Sequence, residues 1–413
     1  MNGSEYYHRE LARSVTRALR SFPVVAVSGP RQGGKTTLIR KEKIMSGRRY
    51  FTLDDLNVLD TVKKEPETLL ESGDKVTIDE AQRVPELFLA IKRVVDEKRR
   101  PGQFLLSGSA NFHLLKHLSD SLAGRACYFN LLPFTAREIY RHIDKEPFIC
   151  SVLKGIPPLK IVTHGKSRFN PEEILMGGFP PAVLLSNNDD RREWFRSYEE
   201  TYIQRDVRQL SQVADLTVFR SFVRLAALRT GQILNQSDIG RQAGLNAMTA
   251  SRYLSLLETS CIIYCLPPFR RSRAKRLVKS PKIYLTDSGL AAFLSGVANL
   301  SFFGDEPMRG ALLETYVAQN LVSTLAVHLP DSRLFYWRIH QGPEVDFIIE
   351  SGRKLVAIEI KWASRIGRHE ANGIKEFMRD YPECRVGLIG YSGTDIIPVG
   401  NNIWAVPLPV LWS

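Results

Sequence analysis

The sequence predicts an α/β chain of several domains: a parallel-sheet domain first, a helical region in the middle, a second α/β domain last. Three observations carry that expectation. Short apolar runs alternate with helical patterns between residues 11 and 130, which implies crossover units around a parallel sheet. The same alternation returns after residue 306. At 413 residues the chain is also too long for one hydrophobic core.

Leu11, Val15, Leu19 and Phe22 recur at helical spacing. Val24–Val27, between Pro23 and Gly29, reads as a buried strand, and Tyr50–Leu53, Val76–Ile78, Phe104–Leu106 and Cys127–Phe129 read as the strands that follow. Residues 141–170 hold Pro157-Pro158 and read as a connector. From 171 to 230 the pattern is helical, with Trp194, Tyr198, Tyr202 and Leu210 on the packing stripe of one long helix, and Val218–Arg229 as an amphipathic helix stopped at Gly231. A helix-turn-helix pattern occupies 232–290. The last region predicts a helix around Glu314, strands near 334–338, 345–349 and 355–361, a helix over 373–381 and a strand over 385–390. The expected domains are 1–140, 141–230, 231–305 and 306–413.

Composition excludes several classes. Hydrophobic residues at 44% and charged ones at 24% argue against disorder and fibres. No apolar run reaches the roughly 18 residues of a membrane helix, so no membrane partner is expected. The polar, mixed-charge stretch Met1–Arg20 is unlike a signal peptide. Of 5 cysteines only Cys261 and Cys265 lie close, which completes no zinc site and suits a reducing cytoplasm. His113 and His117 are spaced as on one helix face without the glutamate of a metalloprotease. Net charge is 57 − 44 = +13, which reads as solubility or as attraction to a polyanion.

The chemistry concentrates first at Gly29-Pro30-Arg31-Gln32-Gly33-Gly34-Lys35-Thr36, a match to G-x-x-x-x-G-K-[ST] between a strand and the helical Thr37-Leu-Ile-Arg. The glycines let backbone N–H groups close around phosphates, and the following helix start favours negative charge. Lys35 is expected on the β- and γ-phosphates of ATP, and the Thr36 hydroxyl on Mg²⁺. Val76-Thr-Ile78 then leads into Asp79-Glu80. Asp79 is expected to order Mg²⁺ and its waters, and Glu80 to act as general base. The strand at Phe104 ends in Ser107-Gly-Ser109, where a hydroxyl reads equally as a γ-phosphate sensor or as a turn residue.

The Gly29–Thr36 loop, Ile78-Asp-Glu-Ala-Gln82, Ser107-Gly-Ser109 and Leu122-Ala-Gly-Arg125, followed by a strand and Leu132-Pro-Phe, resemble the AAA+ ATPases. More narrowly, nearly the whole chain resembles the bacterial and archaeal family that joins an AAA domain to a C-terminal domain of unknown function. The resemblance implies a P-loop AAA+ domain with a helical lid. Gly33 departs from the apolar residue the family often carries there. The resemblance also gives Arg125 a role, reaching the γ-phosphate of a neighbouring subunit in a homo-oligomer; a salt bridge is the plain alternative. Arg205-Asp206 matches the family too, with an ion pair as its default reading.

Ser237–Ala243 reads as a first helix capped by Ser237, Gly244-Leu-Asn246 as a turn, and Ala247–Leu257 as a second helix. Its outer face carries Asn246, Thr249, Ser251 and Arg252, while Leu254 and Leu257 face inward. Cys261–Cys265 and Lys282–Leu285 read as wing strands. Between them Arg270, Arg271, Arg273, Lys275 and Arg276, then Lys279 and Lys282, form a basic run that suits DNA phosphates. Winged helices also contact proteins, and both readings stand.

In the last region Glu314, Asp346, Glu359 and Lys361 fall on helix, strand, strand and strand in an order that looks like the PD-(D/E)xK nuclease fold, with Glu-Val-Asp in place of Pro-Asp. Positions i and i+2 share a strand face, so Glu359 and Lys361 point the same way. The expectation is that Asp346, Glu359 and Glu314 ligate a divalent metal and Lys361 assists cleavage. A charged cluster without catalysis is the alternative. The sequence thus points to an ATPase whose nucleotide cycle controls DNA engagement, with metal-dependent cleavage. The competing reading is a switch for protein partners with a silent nuclease-like domain.

Overall fold

The computed structural model describes residues 6–413 apart from 44–45, 71–74, 110–121, 162–167, 204–214, 273–275, 277–279, 301–306 and 341. His113, His117, Arg205, Asp206, Leu210, Arg273, Lys275 and Lys279 lie outside the described residues. The chain divides into two compact units, one holding residues up to Phe134 with Ser255–Ile262, the other Thr135–Leu254 with Ile263–Ser413.

The first unit is a five-stranded sheet in the order β2-β3-β4-β1-β5, parallel throughout. Its strands are β1 Val24–Ser28, β2 Arg49–Thr52, β3 Val76–Asp79, β4 Phe104–Ser107 and β5 Ala126–Asn130. Each lies within a residue or two of its sequence expectation. β1, β3 and β4 are buried along their whole length, which is why they read as unbroken apolar runs. Helix α1, Leu11–Leu19, buries Leu11, Val15 and Leu19. Phe22 falls beyond it and is 38% exposed, so the sequence stripe ran one turn too far. Helices α2, Lys35–Lys41, α3, Leu56–Lys64, and α4, Leu87–Glu97, complete the crossovers. Leu59, Val62, Phe88 and Ile91 close the core over β3 and β4, each side chain contributing about 1.5–3 kcal/mol.

In the second unit α5, Asn188–Tyr198, carries Trp194 stacked 5.2 Å from Tyr198. The expected long helix instead widens into a π-turn at Glu199–Ile203, where extra backbone spacing shifts the stripe. Helix α6, Leu216–Leu228, is followed by β6, Gln232–Ile233, α7, Gln236–Gln242, α8, Ala247–Thr259, β7, Ile263–Leu266, and β8, Lys282–Leu285. The three strands pair antiparallel in the order β6-β8-β7. The cap of α7 is Asn235, whose side chain accepts from Asp238 N at 3.1 Å, so the expected cap at Ser237 lies two residues too late.

Helix α9, Ser288–Leu294, and α10, Pro307–His328, lead into the last sheet. Its order is β13-β14-β12-β11-β10-β9, built from β9 Arg333–Arg338, β10 Glu344–Ser351, β11 Lys354–Lys361, β12 Cys384–Tyr391, β13 Ile397–Gly400 and β14 Ile403–Pro407, with α11, Asn372–Asp380, between β11 and β12. β9, β10 and β11 pair antiparallel and β11 pairs parallel with β12, the expected helix–strand–strand–strand–helix–strand order. The last two strands went unread in the sequence; Ile397–Gly400 is short and largely exposed, and Ile403–Pro407 is buried but only five residues long.

Candidate functional site

β1 leads into Gly29, whose φ is 148°; a Cβ there would lie 2.2 Å from Leu131 O, so the turn admits only glycine. Gly34 is left-handed at φ 92° and opens α2. Arg9 pins the loop from outside, donating to Gly33 O at 2.9 Å and Leu132 O at 2.6 Å. Lys35 is the first residue of α2 and is buried; its Nζ donates to Gly29 O at 3.0 Å and Pro30 O at 2.8 Å. Burial pushes the Lys35 ammonium down, opposed by the Glu80 and Asp79 carboxylates. Thr36 and Thr37 are exposed at the helix start, with Pro30 buried and Arg31 and Gln32 at the rim.

Strand order brings the rest together. β4 lies between β1 and β3, and β2 flanks β3 on its other side, so the ends of these strands open beside one loop. Asp79, 2% exposed, takes a hydrogen bond on Oδ2 from Thr36 Oγ1 at 2.7 Å and another from Tyr50 OH at 3.0 Å. Its Oδ1 accepts from Ser107 Oγ and from Glu80 N. Ser107, the last residue of β4, is thus engaged at the site. Glu80 holds φ at 56°, unusual for a residue with a Cβ, and its Oε2 accepts from Gln82 Nε2 at 2.5 Å. Tyr50, Gln82 and Arg9 were missed as site residues. Tyr50 is findable only once β2 is known to border β3. Burial and the Asp79 carboxylate push its phenol up, so it remains a donor.

Arg125 sits just before β5 and holds Asp96 of α4 in a two-bond pair, Nε to Oδ1 at 2.6 Å and Nη2 to Oδ2 at 2.8 Å. Within this chain the guanidinium is therefore in the salt bridge that was the plain alternative.

On α8, Ser251 and Arg252 are exposed, Thr249 is half-buried, and Leu254 and Leu257 are buried. Asn246 caps the helix, its Oδ1 accepting from Thr249 N at 2.8 Å. The basic segment departs from a free wing tip. Phe269 N donates to Tyr336 O at 2.5 Å, and Phe269 packs in the core of the last sheet. Arg276 is buried over the Phe269 and Phe335 rings and forms a two-bond pair with Glu350 at 2.7 and 3.0 Å. It is a structural residue, not a phosphate contact. Lys282 is likewise 3% exposed and paired with acids. Arg270 donates to Arg338 O, and Arg271, 71% exposed, lies 3.5 Å from Glu383.

The last sheet gathers Glu314 from α10, Asp346 from β10, and Glu359 and Lys361 from β11. The register of β10 against β9 shifts between Val345 and Ile348, a bulge that re-aims Asp346. Asp346 Oδ2 accepts from Ile360 N at 2.8 Å, and Lys361 Nζ pairs with Glu359 at 2.6 Å. Burial, with Asp346 nearby, pushes Glu314 up to about 7 and Glu359 up to about 8. Two members went unread: Glu344, and Lys282, whose Nζ lies 2.8 Å from Glu314, 2.5 Å from Glu344 and 3.6 Å from Asp346. Burial alone would lower the Lys282 ammonium; the Glu314, Asp346 and Glu344 carboxylates outweigh it and hold the group above its ordinary value. Among the described residues no group of three or more His, Cys, Asp or Glu is arranged to hold a metal ion. The physical reason is Lys282: its ammonium stands among the carboxylates expected to ligate one, so the cluster as built does not fit a divalent metal.

Residues 21–140 match the family described as an AAA domain, 309–411 match a domain of unknown function (DUF4143), and 170–301 match another (DUF8612). The uncharacterized proteins Rv2008c of Mycobacterium tuberculosis and Mb2031c of Mycobacterium bovis are each 31% identical over 402 residues, which is 97% of this chain and 83% of theirs. The chain belongs to their family, AAA-domain proteins with a C-terminal domain of unknown function. The uncharacterized protein MJ1544 of Methanocaldococcus jannaschii is 23% identical over 94% of this chain and 87% of its own. Among solved structures, a Walker-type ATPase of Pyrococcus abyssi is 14% identical, covering 70% of this chain and 96% of that one at a TM-score of 0.45. The whole phosphate loop, Asp79 and Glu80 fall inside the AAA domain of this family member. No described helix is long and apolar enough to cross a membrane.

Proposed function

We propose that this chain is an ATP-hydrolysing switch whose nucleotide state sets its engagement of DNA. The observation that supports it most is the single buried carboxylate of Asp79 bonded at once to Thr36, Tyr50 and Ser107, beside the Gly29–Thr36 loop. Backbone N–H groups of the loop cradle the phosphates. Lys35 exchanges its neutral carbonyl partners for charged phosphate oxygens, whose hydrogen bonds are about twice as strong. Mg²⁺ bound by Thr36 and Asp79 would neutralise the β- and γ-phosphate oxygens. Glu80, held by Gln82, takes the proton of the attacking water. Ser107 reports the γ-phosphate to Asp79. In an assembly of identical subunits Arg125 would exchange Asp96 for a neighbour's γ-phosphate.

DNA engagement rests on α8, in a helix-turn-helix followed by an antiparallel hairpin, the arrangement of a winged helix. Arg252 and Arg271 are exposed cations suited to phosphates. Replacing both with alanine should weaken duplex binding by the full chain and lower the slope of log affinity against log salt by about 0.9 per lost contact. Filter binding across a salt series measures this. Equal binding at every salt concentration would move protein partners ahead of DNA.

The second reading, a switch for protein partners with a silent nuclease-like domain, has specific support. Lys282 lies among the carboxylates, and Arg276 and Lys282 are withdrawn from the surface. Cleavage therefore does not belong to the cluster in this arrangement.

A further inference from the structure

Asn130, the last residue of β5, stands in register with Ser28 of β1, the residue before the phosphate loop. Leu131 N donates to Ser28 O at 2.8 Å, and Leu131 O presses on Gly29. Asn130 Oδ1 closes the same turn, since a Cβ on Gly29 would lie 3.3 Å from it. The end of β5 is therefore the wall against which the first turn of the loop is folded. The Asn130 side chain is exposed, and an exposed amide turns freely unless a second group holds it. That group is Cys261: Asn130 Nδ2 donates to its Sγ at 3.2 Å, and the thiol faces Asn130 Oδ1 at 3.7 Å.

Cys261 follows the end of α8, and Ser255–Ile262 belongs to the first unit. The helix closes there in a Schellman motif: Ile262 N donates to Leu257 O at 2.9 Å and Cys261 N to Glu258 O at 3.0 Å, with Leu257 and Ile262 both buried. Cys261 is the left-handed residue of that motif, φ 55°, where glycine carries no steric penalty and a residue with a Cβ does. The motif is complete through its backbone and has no need of the thiol. Burial pushes the thiol up, opposed by the Asn130 hydrogen bond and the Lys35 ammonium, so it stays protonated and can both give and take a hydrogen bond. The cysteine that ends α8 thus senses the wall of the loop and the lysine of the loop together.

We infer that Asn130 is a positioning residue of the phosphate loop, held in place by Cys261, and that this pair couples nucleotide binding to the last turn of α8. The inference rests on the ATP-binding reading of the loop and names the contact through which that reading reaches the helix-turn-helix. Without nucleotide, Lys35 ties Gly29 O and Pro30 O. When Lys35 turns to phosphate oxygens those carbonyls lose their donor, and the Gly29 turn rests on the end of β5 alone. The two states thus make different demands on Asn130, and a difference of that kind is what a coupled element needs. Coupling is reciprocal, so whatever engages α8 shifts nucleotide affinity through the same pair.

The test is hydrogen exchange of the full chain, read by mass spectrometry with and without ADP and Mg²⁺, in peptides covering Gly29–Thr36 and Ser255–Ile262. In wild type, nucleotide should slow exchange in both, by about fivefold or more in the α8 peptide. Cys261→Gly suits the left-handed backbone, so it should melt no lower than wild type. In this variant nucleotide should still slow the loop and no longer slow α8. Asn130→Ala should separate the two peptides in the same way, and Cys261→Ser, whose hydroxyl also gives and takes a hydrogen bond, should keep them linked. Protection of the loop without protection of α8 in wild type overturns the inference and leaves the ATP reading standing. So does protection of α8 that is unchanged in Cys261→Gly and Asn130→Ala. Nucleotide that protects neither peptide in wild type removes the ATP reading, and the inference with it.

Discussion

Glu80→Gln is expected to retain ATP and lose turnover. The substitution keeps the length of the side chain, and its amide oxygen can still accept from Gln82. What is lost is the negative charge that takes a proton. General-base assistance contributes about 10²–10⁴ in rate, and a fall of that size in kcat with ATP affinity near wild type is the expected result. Steady-state phosphate release with a titration of ATP binding checks it. If ATP affinity falls as far as turnover, Glu80 is a ligand or a structural residue instead.

Lys35→Ala is expected to remove nucleotide binding. Its ammonium is buried and already held to the loop carbonyls of Gly29 and Pro30, so it is positioned without side-chain ordering at the moment of binding. Hydrogen bonds to charged groups contribute about 1.5–3 kcal/mol each, and contact with two phosphates makes the loss about 100-fold or more. Calorimetric titration with ATP measures it. Unchanged affinity removes the assignment of the Gly29–Thr36 loop. The folded state should survive, because the buried Leu38 and Ile39 still hold α2 to the sheet.

The site of the first unit was legible because its information is local. Gly29 and Gly34 occur where backbone angles demand them, and a buried parallel strand announces itself as an apolar run. What stayed hidden depends on pairing at a distance. Tyr50 reaches Asp79 only through the order of β2 and β3. Arg276 and Lys282 looked like members of an exposed basic run, and nothing in their neighbourhood announces that Glu350, Glu314 and Glu344 come to meet them. Charge in a sequence is unsigned with respect to burial; only the fold says which cation is solvated. The cap at Asn235 shows a smaller version, since Asn and Ser both cap helices and the two stand close together. In the last domain the order of elements was readable from periodicity, and the chemistry was not, because the residue that changes it comes from β8.

The central claim, that nucleotide state governs DNA engagement, is tested most directly with Glu80→Gln, which holds ATP without consuming it. Duplex DNA affinity of the full-length variant is measured by fluorescence anisotropy at one fixed salt concentration, with Mg²⁺ and saturating ATP and again with ADP. The account predicts clearly different affinities in the two nucleotide states, and no difference when Lys35→Ala is added. DNA affinity that is the same with ATP, with ADP and in the Lys35→Ala background would contradict it.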